Sequence, residues 1–591
     1  MPGRKRSHKR NFMKSICVGL SQKAGGMMLR LLLSAGIGCI LVACFFTFPN
    51  TGEASATPPS HSTPSFMVII PPASTKKPSL TPTPTTTGTP TLTPTITPTV
   101  VENSAISCND LKSLELPDTE ISISEIEWPG WSTPPMDFPN APAPTVVDKT
   151  FCRVAGVIAP TIQFEVWLPL ATEQNAWNGR FMGVGNVAMA GYIRYADLND
   201  YLKSGYAAAS TDTGHQTDPE DGRWMLHNSG LWVDYSYRAI HLMTLDAQAI
   251  VQAYYGRAPS YSYFAGCSGG GRQALIEAQR YPADYDGILA GAPSLPTTRL
   301  MPGVVWRYYV TNRSPQKAIP TNKLAAINQA ALNACDADDG LADGVISDPL
   351  NCHFDPATLL CSGANASDCL TAGEVDSLKK VYAGLYDPTT GEQFTPGLEP
   401  GGELFWNTPM GFLYRELFGP PLNYFQYLLF ADTPNWDWKT FDFTNPQDFA
   451  ILYEGENQYG PTVNATSPDL SAFRERAGKL IIYQGWLDEA SAPRNASNYY
   501  ESVVNFMGEA DAQDVLRLYM VPGMTHCAAG TVGLARPRAL NALKQWVESG
   551  TSPGNLPAID GHHRICPYPQ VARYNGMGDP QKAESFTCTG P

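Results

Sequence analysis

Between residues 160 and 295 the apolar positions change period repeatedly. Phe164-Glu165-Val166-Trp167-Leu168 and Arg180-Phe181-Met182-Gly183-Val184 read as strands, and Ala207-Ala208-Ala209-Ser210 as a short buried one. Ala239, Leu242, Met243, Leu245, Ala249 and Ile250 then recur at helical spacing, with Gly256 beyond the end. Tyr261 to Ala265 is strand-like again, Arg272 to Arg280 helical, and Gly287-Ile288-Leu289-Ala290 another buried strand. The rhythm resumes after Leu470, with Lys479 to Tyr483 as strand, Arg494 to Asn505 as helix, Val515 to Val521 as strand and Arg538 to Ser549 as helix. Strands alternating with helices predict an α/β architecture, a mostly parallel sheet covered by helices.

Residues 296–468 break that rhythm. They are rich in Pro, Gly, Asn and aromatics and hold four cysteines, Cys335, Cys352, Cys361 and Cys369, so they read as an inserted domain. An insertion at the C-terminal edge of the sheet overhangs the site there, as lids do. The expected organisation is a leader over 1–56, a stalk over 57–103, a catalytic domain from 104–295 and 469–591, and the lid domain 296–468. The stalk rests on composition: from Thr81 to Thr99, Thr or Pro fills 16 of 19 positions, which leaves almost nothing to bury and favours extension.

Composition narrows the class. The 591 residues are 43% hydrophobic and 16% charged, which suits one or two large cores and excludes disorder throughout. The net charge of −14 conceals a basic leader, about +7 over residues 1–56, so the remainder is strongly acidic and nucleic acid is not an expected partner. Uncharged residues from Leu31 to Phe48 follow the basic ones. Three outcomes stay open for this leader. Leu41-Val42-Ala43-Cys44 fits a lipobox with Cys44 acylated, Ala54-Ser55-Ala56 fits signal-peptidase cleavage, and an uncut segment would anchor the chain. Each puts the body outside the cytoplasm, secreted or tethered, with the membrane touched only through the N-terminus. The ten cysteines from Cys108 to Cys588 then suggest five disulfides.

Gly266-Cys267-Ser268-Gly269-Gly270 fits G-x-S-x-G between a predicted strand and a predicted helix, the context of a nucleophile elbow. A serine hydroxyl needs a base. Asp488 and His526 follow later strands in the order Ser, Asp, His, where strand C-termini would gather them. Of the other histidines, His215 is the strongest rival, but it precedes the serine and suits a structural or substrate-lining role.

Ser268 is preceded directly by Cys267 and His526 is followed directly by Cys527. With Trp177 to Phe181, Ser210 to His215, Gly485 to Asp488 and Pro522 to Cys527, the sequence resembles the tannase and feruloyl esterase family. The resemblance runs from Cys108 to the C-terminus. It implies an α/β-hydrolase fold with a large inserted lid domain, a carboxylic ester hydrolase of the feruloyl esterase or tannase type, and a Cys267–Cys527 disulfide beside the site. Sequence proximity suggests Cys335–Cys352, Cys361–Cys369, Cys566–Cys588 and Cys108–Cys152 as the other bonds. Ser268 is then the nucleophile that forms an acyl-enzyme, His526 the base, and Asp488 the group that fixes the imidazole. Family members often carry two glycines where this chain has Val187-Ala188, so the oxyanion hole is expected from Gly269 with Val187 or Ala188.

The expected substrate is a small aromatic ester. Trp406, Trp436 and Trp438 are candidates for stacking on its ring, with ordinary domain core as the competing reading, and Ser491, where terephthalate half-ester enzymes of the family carry an aromatic residue, leans towards plant phenolic esters such as feruloyl or galloyl esters. The run Cys335 to Val345 resembles the family's lid calcium loop, with carboxylates from Asp336, Asp339 and Asp343 and carbonyls from Leu341 and Val345, implying structural Ca²⁺. Two other functions compete: a non-catalytic surface binding protein on a hydrolase fold, and a lidded serine peptidase.

Overall fold

Nine strands form one mixed sheet in the computed structural model, which describes residues 105–170, 176–413, 419–433, 435–528, 530 and 532–590. The leader, Cys44 and the Thr/Pro stretch lie outside the described residues. The strands are β1 (Thr119–Glu127), β2 (Phe151–Ile158), β3 (Ile162–Pro169), β4 (Arg180–Val184), β5 (Ala207–Thr211), β6 (Tyr261–Cys267), β7 (Gly287–Gly291), β8 (Lys479–Gly485) and β9 (Leu516–Val521). Their order across the sheet is β1-β2-β3-β5-β4-β6-β7-β8-β9. From β5 to β9 neighbouring strands are parallel, whereas β1, β2, β3 and β5 pair antiparallel. The antiparallel half includes β1 and β2, which the apolar pattern did not announce.

The longer helices are α1 (Tyr195–Lys203), α2 (Ala239–Tyr255), α3 (Gly269–Arg280), α4 (Thr297–Asn312), α5 (Leu324–Cys335), α6 (Ala372–Ala383), α7 (Pro446–Val463), α8 (Arg494–Met507) and α9 (Arg536–Ser549). Strand alternation sorts the sheet's side chains into two cores. Phe181, Phe264, Ile288, Leu480 and Ile482 face α2, α3 and α8. Met182, Tyr263, Leu289, Ile481 and Tyr483 face α1 and α9. Burial on both faces explains why β5 and β7 read as continuous small or apolar runs.

Between β7 and β8 the chain builds α4 to α7 and several shorter helical segments around a third apolar cluster. Aromatic rings dominate it: Phe425 lies 5.0 Å from Trp436, and Phe441 4.7 Å from Phe443, centroid to centroid. The cluster continues into the hydrolase side through Met189, Met225, Trp232 and Tyr235, so the insert rests on the loops that follow β4 and β5. α4 is buried nearly all round and carries Pro302, so it lacks an amphipathic stripe, and α7 contains Gly455, Gly460 and Pro461.

Among the described residues, five disulfides join Cys108–Cys152, Cys267–Cys527, Cys335–Cys352, Cys361–Cys369 and Cys566–Cys588. Four close short stretches. Cys267–Cys527 spans 260 positions and ties the end of β6 to the loop after β9. Among the described residues no helix is long and apolar enough to cross a membrane.

Candidate active site

The turn from β6 into α3 sets Ser268 at φ 62° and ψ −118°, a sparsely populated conformation for a residue with a side chain. Tight packing holds it there. The Ser268 N–H donates to the Gly291 carbonyl at 2.9 Å. A Cβ on Gly266 would come within 2.4 Å of the Gly270 carbonyl oxygen, and one on Gly270 within 2.5 Å of the Asn186 carbonyl oxygen, so glycine is required at both. Ser268 is thereby set at the N-terminus of α3, where free amides and the helix dipole favour negative charge.

Asp488 lies three residues beyond β8, is 1% exposed, and has four hydrogen-bond donors around its carboxylate. Oδ2 accepts from His526 Nδ1 at 2.8 Å and Gln484 Nε2 at 2.7 Å, and Oδ1 accepts from the amides of Ala490 at 2.9 Å and Ser491 at 2.7 Å. So many donors fix the orientation of the carboxylate. His526 follows β9. Its burial disfavours the charged ring, yet the charge and hydrogen bond of Asp488, aided by Glu489, raise its pKa above the ordinary histidine value. Nε2 of His526 is buried without a hydrogen-bond partner. Ser268 and His526 line one cavity with Gly269, Ala188 and Ser491, and no hydrogen bond joins the two side chains in this state. Such a contact often tightens only when substrate is bound.

Ala188 and Gly269 face one another: a Cβ on Gly269 would lie 3.2 Å from the Ala188 nitrogen. Ala188 adopts φ 46°, the left-handed region in which glycine is the easier residue. Val187 is not among the cavity-lining residues; its carbonyl accepts from the Ala190 amide at 2.8 Å. Three groups the sequence did not reveal hold this loop. The Tyr235 hydroxyl donates to the Ala188 carbonyl at 2.7 Å, and Asn186 and Gln273 exchange hydrogen bonds of 2.8 and 3.1 Å. Arg272, also cavity-lining, spends its guanidinium on the carbonyls of Ser236 and Tyr235.

The remaining walls come largely from the lid: Leu300, Met301, Val304, Met410, Pro420 and Pro421. The three tryptophans proposed for stacking are elsewhere. Trp406 and Trp436 are in the lid core, and Trp438 packs edge-on against Tyr308, because aromatic bulk is what gives so irregular an insert an interior. His215 is buried, stacked at 4.0 Å on Trp224, and its burial lowers its pKa to about 4, which suits a neutral structural ring. Glu489, beside the acid, is buried against Thr408, and Arg307 of α4 donates to the Ala490 carbonyl at 3.1 Å.

In the loop after α5, Asp336 accepts from the amides of Asp343, Gly344 and Val345, Asp339 from the Leu341 amide and the Ser347 hydroxyl, and Asp343 from the Val345 amide. His563 Nε2 approaches Asp343 at 3.2 Å, an imidazole that chain position alone did not bring near. The donors of Asp336, Asp339, Asp343 and the carbonyls of Leu341 and Val345 are hard oxygens suited to calcium, although the three carboxylates do not all lie within 4.8 Å of one another.

The family model for tannase and feruloyl esterase matches residues 145–589. The chain belongs to the tannase and feruloyl esterase family. It is 36% identical over 541 residues to an uncharacterized esterase of Xanthomonas campestris pv. campestris, covering 82% of this chain and 92% of that protein. It is 28% identical over 462 residues to feruloyl esterase B of Aspergillus niger, covering 74% and 86% respectively. The crystal structure of feruloyl esterase B from Aspergillus oryzae superposes with a TM-score of 0.73 at 26% identity, over 82% of this chain and 99% of that one. The fold is accordingly that of an α/β-hydrolase, and the protein is a carboxylic ester hydrolase.

Proposed function

We propose that the protein is an extracytoplasmic serine esterase that cleaves esters of phenolic acids through an acyl-enzyme on Ser268. The observation that carries this reading is the state of His526: Nδ1 is held by Asp488, while Nε2 is buried, unpartnered and in the cavity that Ser268 shares. As Oγ bonds to the ester carbonyl carbon, its proton passes to Nε2, and the carbonyl oxygen gains charge in front of the Gly269 and Ala188 amides. Collapse breaks the carbon–oxygen ester bond and the alcohol leaves with the proton from Nε2. Water then repeats the sequence on the acyl-enzyme, releasing the acid and restoring Ser268.

The apolar wall of Leu300, Met301, Val304, Pro420 and Pro421 supports an aromatic acyl group, and relatives named feruloyl esterase favour a hydroxycinnamoyl one. Five disulfides support an oxidising compartment. Acylation at Cys44, with the chain tethered through it, remains part of the proposal and is read by mass spectrometry of the mature N-terminus. Calcium in the 336–345 loop is proposed as a brace held by Asp336, Asp339 and Asp343; Asp339, buried near the other two, has its pKa raised by burial and by their charge. A chelator should then lower the melting temperature while low-temperature turnover persists, and a metal analysis without calcium would dismiss it.

The substrate is tested by comparing methyl ferulate, methyl gallate, chlorogenate, mono(2-hydroxyethyl) terephthalate and a short-acyl nitrophenyl ester. Higher kcat/KM on the phenolic esters is expected. A folded enzyme confined to the short acyl ester would overturn the substrate class, and one inactive on every ester would return the protein to the binding reading.

A further inference from the structure

Behind the sheet, away from the cavity, one buried carboxylate lacks any partner that a carboxylate can use. Glu277 on α3 is fully buried, and neither Oε1 nor Oε2 accepts a hydrogen bond. Its near neighbour is a second carboxylate, Asp284, in the loop before β7, also buried. His241 on α2 completes the group, with Nδ1 2.6 Å from Asp284 Oδ2. One ligand atom from each of the three residues falls within a common 4.8 Å, the only such trio of His, Cys, Asp or Glu among the described residues. Two carboxylates facing each other in a dry interior repel, and a buried charge without a counterion costs several kcal/mol. The cluster therefore needs a proton or a cation to close it.

We propose that His241, Glu277 and Asp284 form a binding site for a divalent cation of the zinc class. One imidazole nitrogen with two carboxylate oxygens is a donor set that zinc accepts with water in the fourth position, and the imidazole disfavours calcium and magnesium, which prefer oxygen alone. Two ligand atoms on a tetrahedral zinc stand about 3.3 Å apart for bonds near 2.0 Å, so the His241–Asp284 contact opens slightly as the ion replaces the proton between them. That proton is released, and affinity rises with pH. The surroundings already orient the ligands. Tyr281 stacks on the His241 ring at 3.8 Å with an interplanar angle of 8°, and Gln248 Nε2 donates to the Asp284 carbonyl at 2.8 Å. His241 is the ligand with a solvent-facing edge, 23% exposed, which gives the ion a way in. Glu277 lies nine residues along α3 from Ser268, about 13 Å at the helical rise, so the ion ties α2, α3 and the β7 loop together and takes no part in ester cleavage.

The test uses the tag-free, chelator-treated chain titrated with Co²⁺, whose visible absorption intensifies in a low-symmetry N/O site, followed by displacement with Zn²⁺. One equivalent of intense Co²⁺ absorption, displaced by Zn²⁺ and weakened at least 100-fold in affinity by Glu277→Gln, is expected. His241→Asn, at a partly exposed position, makes the same comparison should Glu277→Gln fail to fold. Folded wild-type protein that binds neither ion would overturn the site and leave a shared proton as its closure. Binding that survives both substitutions would move the ion elsewhere, for instance to His563 and Asp343, and equally overturn it.

Discussion

The sheet and the insert build their interiors by opposite means. In the sheet, side chains alternate between two cores, and the ends of β6, β8 and β9 deliver Ser268, Asp488 and His526 to one place. In the insert, rings pack in no fixed period around Phe425, Trp436, Phe441 and Phe443, and what reaches the cavity is apolar wall. Under the proposed function the difference separates two tasks: chemistry on the strand ends, and substrate shape on an irregular layer above them. The layers touch close to the acid, where Thr408 donates to Glu489 and Arg307 to the Ala490 carbonyl.

Substitutions at the strand ends should do the most damage to turnover. Asp488→Asn keeps the shape but loses the anion that fixes the imidazole tautomer, and kcat should fall by about 10⁴. Steady-state kinetics on methyl ferulate measures this, and near-normal turnover would break the division by moving the acid elsewhere. Gly269→Ala comes next. Its Cβ would meet the Ala188 carbonyl oxygen at 2.8 Å and push the two amides apart. A loss of about 10²–10³ in kcat with KM little changed is expected for one displaced donor.

The insert should answer differently. Phe441→Ala empties a position 2% exposed inside the aromatic cluster and should cost about 3–5 kcal/mol of stability, read by denaturant unfolding, with kcat at low temperature within a few-fold of wild type. A kcat loss comparable to that of Gly269→Ala would show the lid core to be part of the catalytic framework. The smallest effect belongs to the seam. Glu489 helps raise the His526 pKa, and the base works only when neutral, so the acid limb of the kcat/KM profile should lie above the ordinary histidine value. Glu489→Gln removes that contribution and should move the limb to lower pH, by less than about one unit; a shift upward would contradict the sign.

The same contrast explains what could be read from the chain. Gly266-Cys267-Ser268-Gly269-Gly270 is legible because the backbone leaves no room for a Cβ at Gly266 or Gly270, so geometry is written directly into residue type. Asp488 and His526 are legible because chain order and strand ends coincide. β1 is obscured by a bulge between Ile121 and Ile123 that disturbs its pairing register. α4 is obscured because, buried nearly all round, it has no polar face to set a period. Supporting hydrogen bonds leave no local trace either: Asn186 and Gln273 meet across 87 positions, and Tyr235 reaches Ala188 across 47. The aromatic residues of the insert admitted two readings, ring stacking and domain core, and Trp406 and Trp436 take the second.

The central claim is that Ser268, set at φ 62° in the cavity it shares with His526, whose Nε2 is unpartnered, is the group acylated during turnover. The most direct measurement is peptide mass spectrometry of the folded protein after reaction with a fluorophosphonate. A single adduct on the peptide containing Ser268, absent in Ser268→Ala and slowed strongly in His526→Ala, is predicted. An adduct on another serine, or none while ester hydrolysis proceeds, would contradict the account.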